Sequence, residues 1–172
     1  MLVHLKYLKM GKNLEEEDRK YLERCLELAN ESVTAGDEAF GSVLVDEFGV
    51  IIAEARNRVN EKTVLAHPEI DLAYWAAEHL SEEERTRSTM YTTGEHCPMC
   101  AAAHGWVGIG TLVYLSSALQ LGEWQKEAHV PAGPVHFLPV EDLIKNIEVR
   151  GPGEGDLLKA IKDLHTIAWQ KK

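Results

Sequence analysis

The chain of 172 residues has the length of one domain and can bury a core of its own. Its composition, with 45% hydrophobic and 27% charged residues, excludes a disordered or collagen-like chain. The formal net charge of −10 disfavours nucleic acid as a partner, since phosphate contacts supply most of that affinity. The basic cluster of Lys6, Lys9 and Lys12 is expected to be a solvated terminus. The longest stretch without a charged residue, 96–122, is broken by Pro98, so we expect no membrane span.

The first predicted elements are a helix and a hairpin. Asn13 followed by Glu16 predicts an N-cap for an amphipathic helix over 14–35. Two apolar runs flank an Asp-Glu-Phe-Gly turn and predict a hairpin with strands over 42–45 and 50–53. Helical and strand-like segments then alternate, which is typical of an α/β domain built around one sheet. The remaining predictions are helices over 67–80, 98–107, 119–128 and 156–169, a short capped turn at Ser81 and Glu84, and strands over 90–93, 111–115, 135–138 and 147–149.

The three cysteines argue against a secreted disulfide scaffold. They are odd in number, and no positively charged, apolar leader pattern precedes the domain, so we expect a cytoplasmic protein. Cys25 falls on the apolar stripe of the first helix, which favours a buried hydrophobic role. Cys97 and Cys100 form a C-x-x-C pair, which in a reducing compartment indicates a metal or redox site more than a bridge.

Two short segments carry the chemistry, His-Pro-Glu at 67–69 and Glu-His-Cys-Pro-Met-Cys at 95–100. In each, a proline follows a potential metal ligand, and proline favours the first position of a helix. His67 and Cys97 are therefore predicted N-caps, where the helix dipole stabilises thiolates. Two thiolates and one imidazole bind Zn²⁺ with a fourth position left for water, as in a catalytic zinc site with Cys97, Cys100 and His67 as ligands.

Glu69 is predicted to be a proton shuttle rather than a ligand, because it follows His67 by only two residues and would lie beside the open metal position. Other interpretations of the cysteine pair stay open. A C-x-x-C that opens a helix is also typical of thioredoxin-like redox sites. A structural zinc needs a fourth protein ligand, which His96 or His104 could supply.

Taken together, the two segments resemble the cytidine deaminase superfamily. Its zinc deaminases combine His-x-Glu with Pro-Cys-x-x-Cys, and the Glu is an acid/base that does not bind the metal. The resemblance covers roughly residues 16–118 and implies a three-layer α/β/α sandwich around a central mixed five-stranded sheet. It also implies one zinc ion per chain and a homodimer, with residues 1–172 as a single deaminase domain. His96 stands where the family normally has proline.

The same resemblance suggests substrate contacts. The run Ala-Phe-Gly-Ser-Val at 39–43 looks like the Pro-Phe-Gly-Ala-Val of guanine and yeast-type cytosine deaminases, so Phe40 is a candidate aromatic wall for the substrate, with a packed core residue as the alternative. Asn57 matches the asparagine with which these enzymes hold the base, and backbone groups near Ala66 are candidates to complete the pocket. Trp106 lies where guanine-deaminase-like enzymes carry a tryptophan. Two interpretations of Trp106 are equally open: a second aromatic wall for the substrate, or a residue packed in the core.

The resemblance and the charge together favour hydrolytic deamination of a free purine base or nucleoside, most like guanine deaminase. In that mechanism zinc-bound hydroxide attacks the amine-bearing carbon and Glu69 moves the protons. The alternatives are a tRNA adenosine deaminase, which the net charge disfavours, and a deaminase of cytosine or another amino-heterocycle. A non-catalytic zinc-stabilised subunit would be expected to lack Glu69.

Glu123 and Glu127 are candidates for a downstream carboxylate that assists proton transfer, and the segment after Ala118 is where substrate identity is expected to be decided.

Overall fold

The computed structural model describes residues 13–171, and the basic cluster at Lys6, Lys9 and Lys12 lies outside that range. Within the described range the chain forms seven helices and five strands. The helices are α1 (Asp18–Ala35), α2 (Pro68–His79), α3 (Glu82–Arg87), α4 (Pro98–Val107), α5 (Ala118–Glu127), α6 (Val140–Leu143) and α7 (Gly155–Gln170). The strands are β1 (Gly41–Val45), β2 (Ile51–Arg56), β3 (Thr89–Gly94), β4 (Thr111–Ser116) and β5 (Glu148–Arg150).

The five strands form one mixed sheet in the order β2-β1-β3-β4-β5. Strand β1 pairs antiparallel with β2 and β3, whereas the β3–β4 and β4–β5 pairs are parallel. Along the fully buried β1, Val43 and Val45 join the core shared with α1 and α7, while Leu44 joins the core shared with α2 and α4. The predicted α/β/α sandwich with a mixed five-stranded sheet is therefore confirmed.

The parallel pairing decides where the functional side chains meet. The carboxyl ends of β3 and β4 lie at the same edge of the sheet, and the loop after β3 leads directly into α4. Helix α2 packs beside α4 on the same face. In α/β sheets, ligands bind in the crevice outside the carboxyl ends of the strands, so this edge is the expected place for a site.

Two sequence predictions about local structure are wrong. The first helix begins at Asp18 with Glu17 as its N-cap, not at 14 after Asn13. The physical reason is that the Asp18 carboxylate accepts a hydrogen bond from the Glu15 backbone N–H at 2.8 Å, which closes a turn before the helix starts. Residues 135–138 form no strand, because prolines at both ends of this segment lack the N–H that a sheet ladder needs.

Other local predictions are confirmed. Ser81 and Glu84 form a complete capping box at the start of α3. The Cys25 side chain is fully buried among the residues that α1 packs against the sheet. Among residues 13–171, every helix is too short or too polar to cross a bilayer.

Candidate active site

The candidate metal ligands lie at the N-termini of two neighbouring helices. His67 is the N-cap of α2 and Cys97 the N-cap of α4, both with extended backbone, and a proline occupies the first turn of each helix. Cys100 follows in the first turn of α4 and is buried. The local sequence therefore places the imidazole and both thiols at the two helix ends that face the same crevice.

The geometry of these three side chains fits zinc. His67 Nδ1 lies 3.8 Å from Cys97 Sγ and 3.7 Å from Cys100 Sγ, and the three atoms lie within 4.8 Å of one another. Zinc bound tetrahedrally to two thiolates and an imidazole would separate the nitrogen from each sulfur by about 3.6 Å. One nitrogen and two sulfur donors leave a fourth position for water, which is the ligand set of a catalytic rather than a structural zinc.

The surroundings of Cys97 favour its thiolate form. A hydrogen bond from Cys100, together with the neighbouring His67, lowers the pKa of Cys97 to about 4. The hydrogen bond to Cys97 and burial raise the pKa of Cys100. Hydrogen bonding to Cys97 also raises the pKa of His67. A bound metal requires both thiols to be deprotonated. Zinc would therefore displace the proton of the hydrogen bond between Cys100 and Cys97.

Glu69 lies beside the ligand set and is held by a chain of hydroxyl groups. Its side chain is only 5% exposed, and its Oε2 lies 3.6 Å from Cys100 Sγ. Thr92 Oγ1 donates to Glu69 Oε1 at 3.0 Å and accepts from Ser42 Oγ at 2.8 Å. Burial raises the pKa of Glu69, which moves the carboxyl toward the range where it can both take and give a proton.

A cavity of about 620 Å³ opens onto this group of residues. Phe40 and Asn57 both line it, as the sequence predicts. Asn57 Oδ1 accepts from the backbone N–H groups of Glu38 and Val59, so within residues 13–171 its Nδ2 is the end left to donate to a ligand. The full lining is Glu38, Phe40, Asn57, Val59, Asn60, Val64, Leu65, His67, Glu69, Glu95, Cys97, Met99, Leu121, Gln125, Gly133, Pro134, Val135, Phe137, His165 and Trp169.

The loops that carry Phe40 and Asn57 are tied to each other. The Phe40 carbonyl accepts a hydrogen bond from the Asn57 N–H at 2.9 Å. Ser32 Oγ on α1 lies 3.2 Å from both the Phe40 and the Asn57 carbonyl oxygens. The two candidate substrate contacts are therefore fixed relative to each other by backbone as well as side-chain bonds.

Ala66 is placed next to the site but does not line the cavity. Its N–H donates to Thr63 O and its carbonyl accepts from the Arg58 N–H, so its backbone groups bond within the loop that leads into α2. In this structure Ala66 shapes the turn before His67.

Three other candidates lie away from the cavity. Trp106 is 91% exposed at the end of α4, so it forms neither a cavity wall nor a part of the core in the single chain. Glu123 is exposed, and Glu127 pairs with Lys162 at 2.9 Å on the surface. For Trp106, spacing along α4 could not show which face of the helix turns toward the site, whereas the charged surface helix expected around Glu123 and Glu127 agrees with their exposure.

His96 is neither exposed nor a metal ligand. Its Nε2 lies 3.1 Å from His104 Nδ1, and His104 Nε2 lies 3.1 Å from the Ile109 carbonyl. Both rings are buried, and burial lowers the pKa of each. The two histidines form a neutral pair that packs α4 against the sheet, and they do not complete a four-ligand structural zinc.

The far wall of the cavity comes from the C-terminal third of the chain, which sequence reasoning missed. Phe137 belongs to the segment between prolines, and His165 and Trp169 lie one turn apart on α7. The one available signal was a histidine within the apolar stripe of the last helix, since such a stripe otherwise holds core residues.

Comparison with known proteins agrees with this geometry. The family model of the cytidine and deoxycytidylate deaminase zinc-binding region matches residues 15–116, more than half of the chain. The chain belongs to this deaminase family. Since the site also holds the His/Cys/Cys group that can bind zinc, the deaminase is a zinc-binding enzyme of the nucleobase and nucleoside class.

Relatives of this deaminase differ in their substrates. It is 29% identical to a probable cytosine deaminase of Schizosaccharomyces pombe over 141 residues, which are 81% of this chain and 86% of that protein. It is 35% identical to the guanine deaminase of Bacillus subtilis over 107 residues, 60% of this chain and 67% of the other. A solved structure of a tRNA:A34 deaminase, which performs A-to-I editing at the wobble position, aligns with TM-score 0.57 and 27% identity over 80% of this chain and 99% of that chain.

Proposed function

We propose that this deaminase hydrolyses the exocyclic amine of a free purine base or nucleoside, most like guanine deaminase. The observation that carries the proposal is the largely apolar cavity that opens onto Glu69 and the three candidate metal ligands. A cavity of about 620 Å³ has room for a base or a nucleoside. Asn57 supplies a fixed donor for the polar edge of the ring, and Phe40 supplies an aromatic wall.

The proposed mechanism assigns each group of the chain a single task. His67, Cys97 and Cys100 would hold the zinc, which would supply hydroxide at neutral pH by lowering the pKa of a bound water to about 7. Glu69 takes a proton from the attacking water and gives it to the ring nitrogen next to the amine-bearing carbon. It then carries the second proton of the water to the amine, which leaves as ammonia while the carbon keeps the oxygen.

Charge argues for a small substrate over tRNA. Among the described lining residues there is no Lys or Arg, while Glu38, Glu69 and Glu95 all line the cavity. The chain as a whole carries a formal charge of −10. A polynucleotide would meet no local excess of positive charge at the cavity mouth, and phosphate contacts supply most of the affinity for nucleic acid.

Cytosine is the second candidate substrate. The relative that covers 81% of this chain is named a probable cytosine deaminase, and that match extends beyond the zinc region. A pyrimidine would occupy a smaller part of the cavity and would use the same Asn57 donor and the same Glu69 shuttle. The two candidates therefore differ in ring size and not in mechanism.

The test is ammonia release by the zinc-loaded protein from guanine, adenine, cytosine, their nucleosides and aminotriazines. We expect turnover of a purine, and we expect Glu69→Ala to keep its zinc while losing turnover of every substrate. Turnover of cytosine alone would select the second candidate. Wild-type turnover rates in Glu69→Ala would refute the role given to this residue.

We also propose that the chain is a single domain that works as a homodimer in the cytoplasm. Trp106 on α4 and Tyr74 on the neighbouring α2 are large apolar side chains that are 91% and 66% exposed. Where such side chains form one contiguous apolar patch, the patch is typical of a contact surface, and α2 and α4 are packed side by side. The three cysteines are free thiols, as expected in a reducing compartment.

A further inference from the structure

His165 on α7 is a buried polar side chain with no partner. The residue is fully buried, and neither Nδ1 nor Nε2 has a hydrogen-bond partner among the residues that the structure describes. Folded proteins satisfy nearly all buried polar groups, because an unpaired donor or acceptor loses its bonds to water without compensation. Among the described residues His96 Nδ1 is the other buried nitrogen without a partner, but His96 does not line the cavity, whereas His165 does, so a ligand in the cavity can supply the missing hydrogen bonds of His165.

Three aromatic rings pack around His165. The Phe40 ring meets it edge-on with centroids 4.9 Å apart, and the Trp169 ring stacks on it at 5.4 Å. Trp124 lies further away, at 6.2 Å. Burial lowers the pKa of His165 to about 3, so the ring is neutral near pH 7 and holds one N–H donor and one nitrogen acceptor.

The position of His165 connects it to the reacting centre. His165, Phe40 and Trp169 line the same cavity as Glu69. The Phe40 ring also packs on Gly94, the last residue of β3, so closely that a Cβ at Gly94 would lie 2.9 Å from Phe40 Cε1. The loop of residues 95–97, which carries Cys97, follows Gly94 directly. The Phe40 ring therefore lies between His165 and that loop.

We propose that His165 is a substrate-recognition residue, whose imidazole hydrogen-bonds the polar edge of an uncharged amino-heterocycle in the cavity. This inference rests on the proposed function, because the ligand is the substrate of that reaction. Trp169, half-buried in the last turn of α7, stacks on one face of the imidazole, whereas hydrogen bonds to its two nitrogens form in the plane of the ring. A small side-chain rotation on binding, which is common at ligand sites, would bring a ring nitrogen to the cavity surface.

The residues that line the cavity favour an uncharged base or nucleoside as the ligand. A neutral imidazole pairs with a ring nitrogen, an N–H or a carbonyl oxygen, and it lacks the charge that a phosphate would require. The described lining contains carboxylates and no Lys or Arg. The 5′-monophosphate of the best nucleoside is therefore expected to be a poorer ligand than the nucleoside itself.

The test compares two variants of the zinc-loaded enzyme. His165→Phe keeps an aromatic ring of similar size and removes both nitrogens. Trp124→Phe is the matched control, because Trp124 contacts His165 but does not line the cavity. For the best substrate of the panel, His165→Phe should raise KM roughly tenfold and leave kcat within about threefold. Its ligand-free melting temperature should stay equal or rise, since an apolar ring replaces an unpaired polar one.

Failure of the inference and failure of the proposed function give different results. A KM within about twofold of wild type in His165→Phe would overturn the role of His165 while deamination stands, as would an equal rise of KM in Trp124→Phe. If the wild type deaminates nothing, binding of the same panel is measured by calorimetry. If a compound binds the wild type and His165→Phe weakens that binding, the role of His165 is supported and the proposed deamination is not. If no compound of the panel reacts or binds, both the role of His165 and the proposed function are overturned.

Discussion

Thr92→Val is expected to slow deamination while leaving the metal site intact. Thr92 is fully buried on β3, and its hydroxyl donates to Glu69 Oε1 at 3.0 Å. Valine keeps the β-branched shape and the volume, and it removes two hydrogen bonds, the one to Glu69 Oε1 and the one that Thr92 accepts from the buried Ser42 hydroxyl, so some loss of stability is expected as well. The carboxylate of Glu69 then loses a neutral donor that fixes its orientation beside Cys100.

The expected magnitude follows from the type of bond. A hydrogen bond to a charged group contributes about 1.5–3 kcal/mol, and about 1.4 kcal/mol changes a rate tenfold. If Glu69 acts as the ionised base, kcat should fall by roughly 10- to 150-fold in Thr92→Val. KM should change by less than about threefold, because Thr92 does not line the cavity.

The control for Thr92→Val is the same substitution one residue further along β3. Thr93 is equally buried, but adjacent side chains of a strand face opposite layers, and the Thr93 hydroxyl accepts from the Gly41 N–H. Thr93→Val should lower the melting temperature without a comparable loss of kcat. Steady-state ammonia release, zinc content and thermal unfolding are measured for both variants. An equal loss of kcat in the two variants, or a kcat within about twofold of wild type in Thr92→Val, would refute the positioning role.

Three further outcomes are expected. Asp18→Asn should cost about 3 kcal/mol of unfolding free energy in urea titration, because it leaves the largely buried Arg150 guanidinium with only the longer contact to Glu148, at 3.4 Å, as its counter-charge. Burial raises the pKa of Asp18, but hydrogen bonds from Arg150 bring it below the usual value of 3.8. The stability of the wild type should therefore decline as the pH falls below about 4, and this decline should be weaker in the variant. Removal of zinc by a chelator should lower the melting temperature and abolish turnover, both restored by added zinc. Trp106→Glu should shift a dimer toward monomer in analytical ultracentrifugation, and an unchanged dimer would place the interface elsewhere.

The metal ligands were predictable because their positions depend on local structure. A proline in the first turn determines where α2 and α4 begin, so His67 and Cys97 reach the two N-caps whatever the rest of the chain does. The order of the segments and the family resemblance then supply the sheet that brings the two helices together. Glu69 follows, since its place in the first turn of α2 is set by the same proline.

The C-terminal wall was not predictable in this way. Phe137, His165 and Trp169 reach the cavity only because α7 packs on α1 and β4, and because two prolines keep residues 135–138 out of the sheet. Such contacts join residues more than 100 positions apart, and helical periodicity does not reveal which partner a stripe will meet. Trp106 shows the same limit, because spacing places it on α4 but not on a buried face.

Glu95 links the loop that carries Cys97 to the C-terminal part of the chain. Its carboxylate accepts hydrogen bonds from the Ala118 N–H and the Val140 N–H, each at 2.9 Å. Glu95 lies two residues before Cys97, so the loop that holds the metal also holds the first residues of α5 and α6. Through Glu95, the loop that carries Cys97 and the first residues of α5 and α6 are held together, so the segment after Ala118 is fixed relative to the three candidate metal ligands.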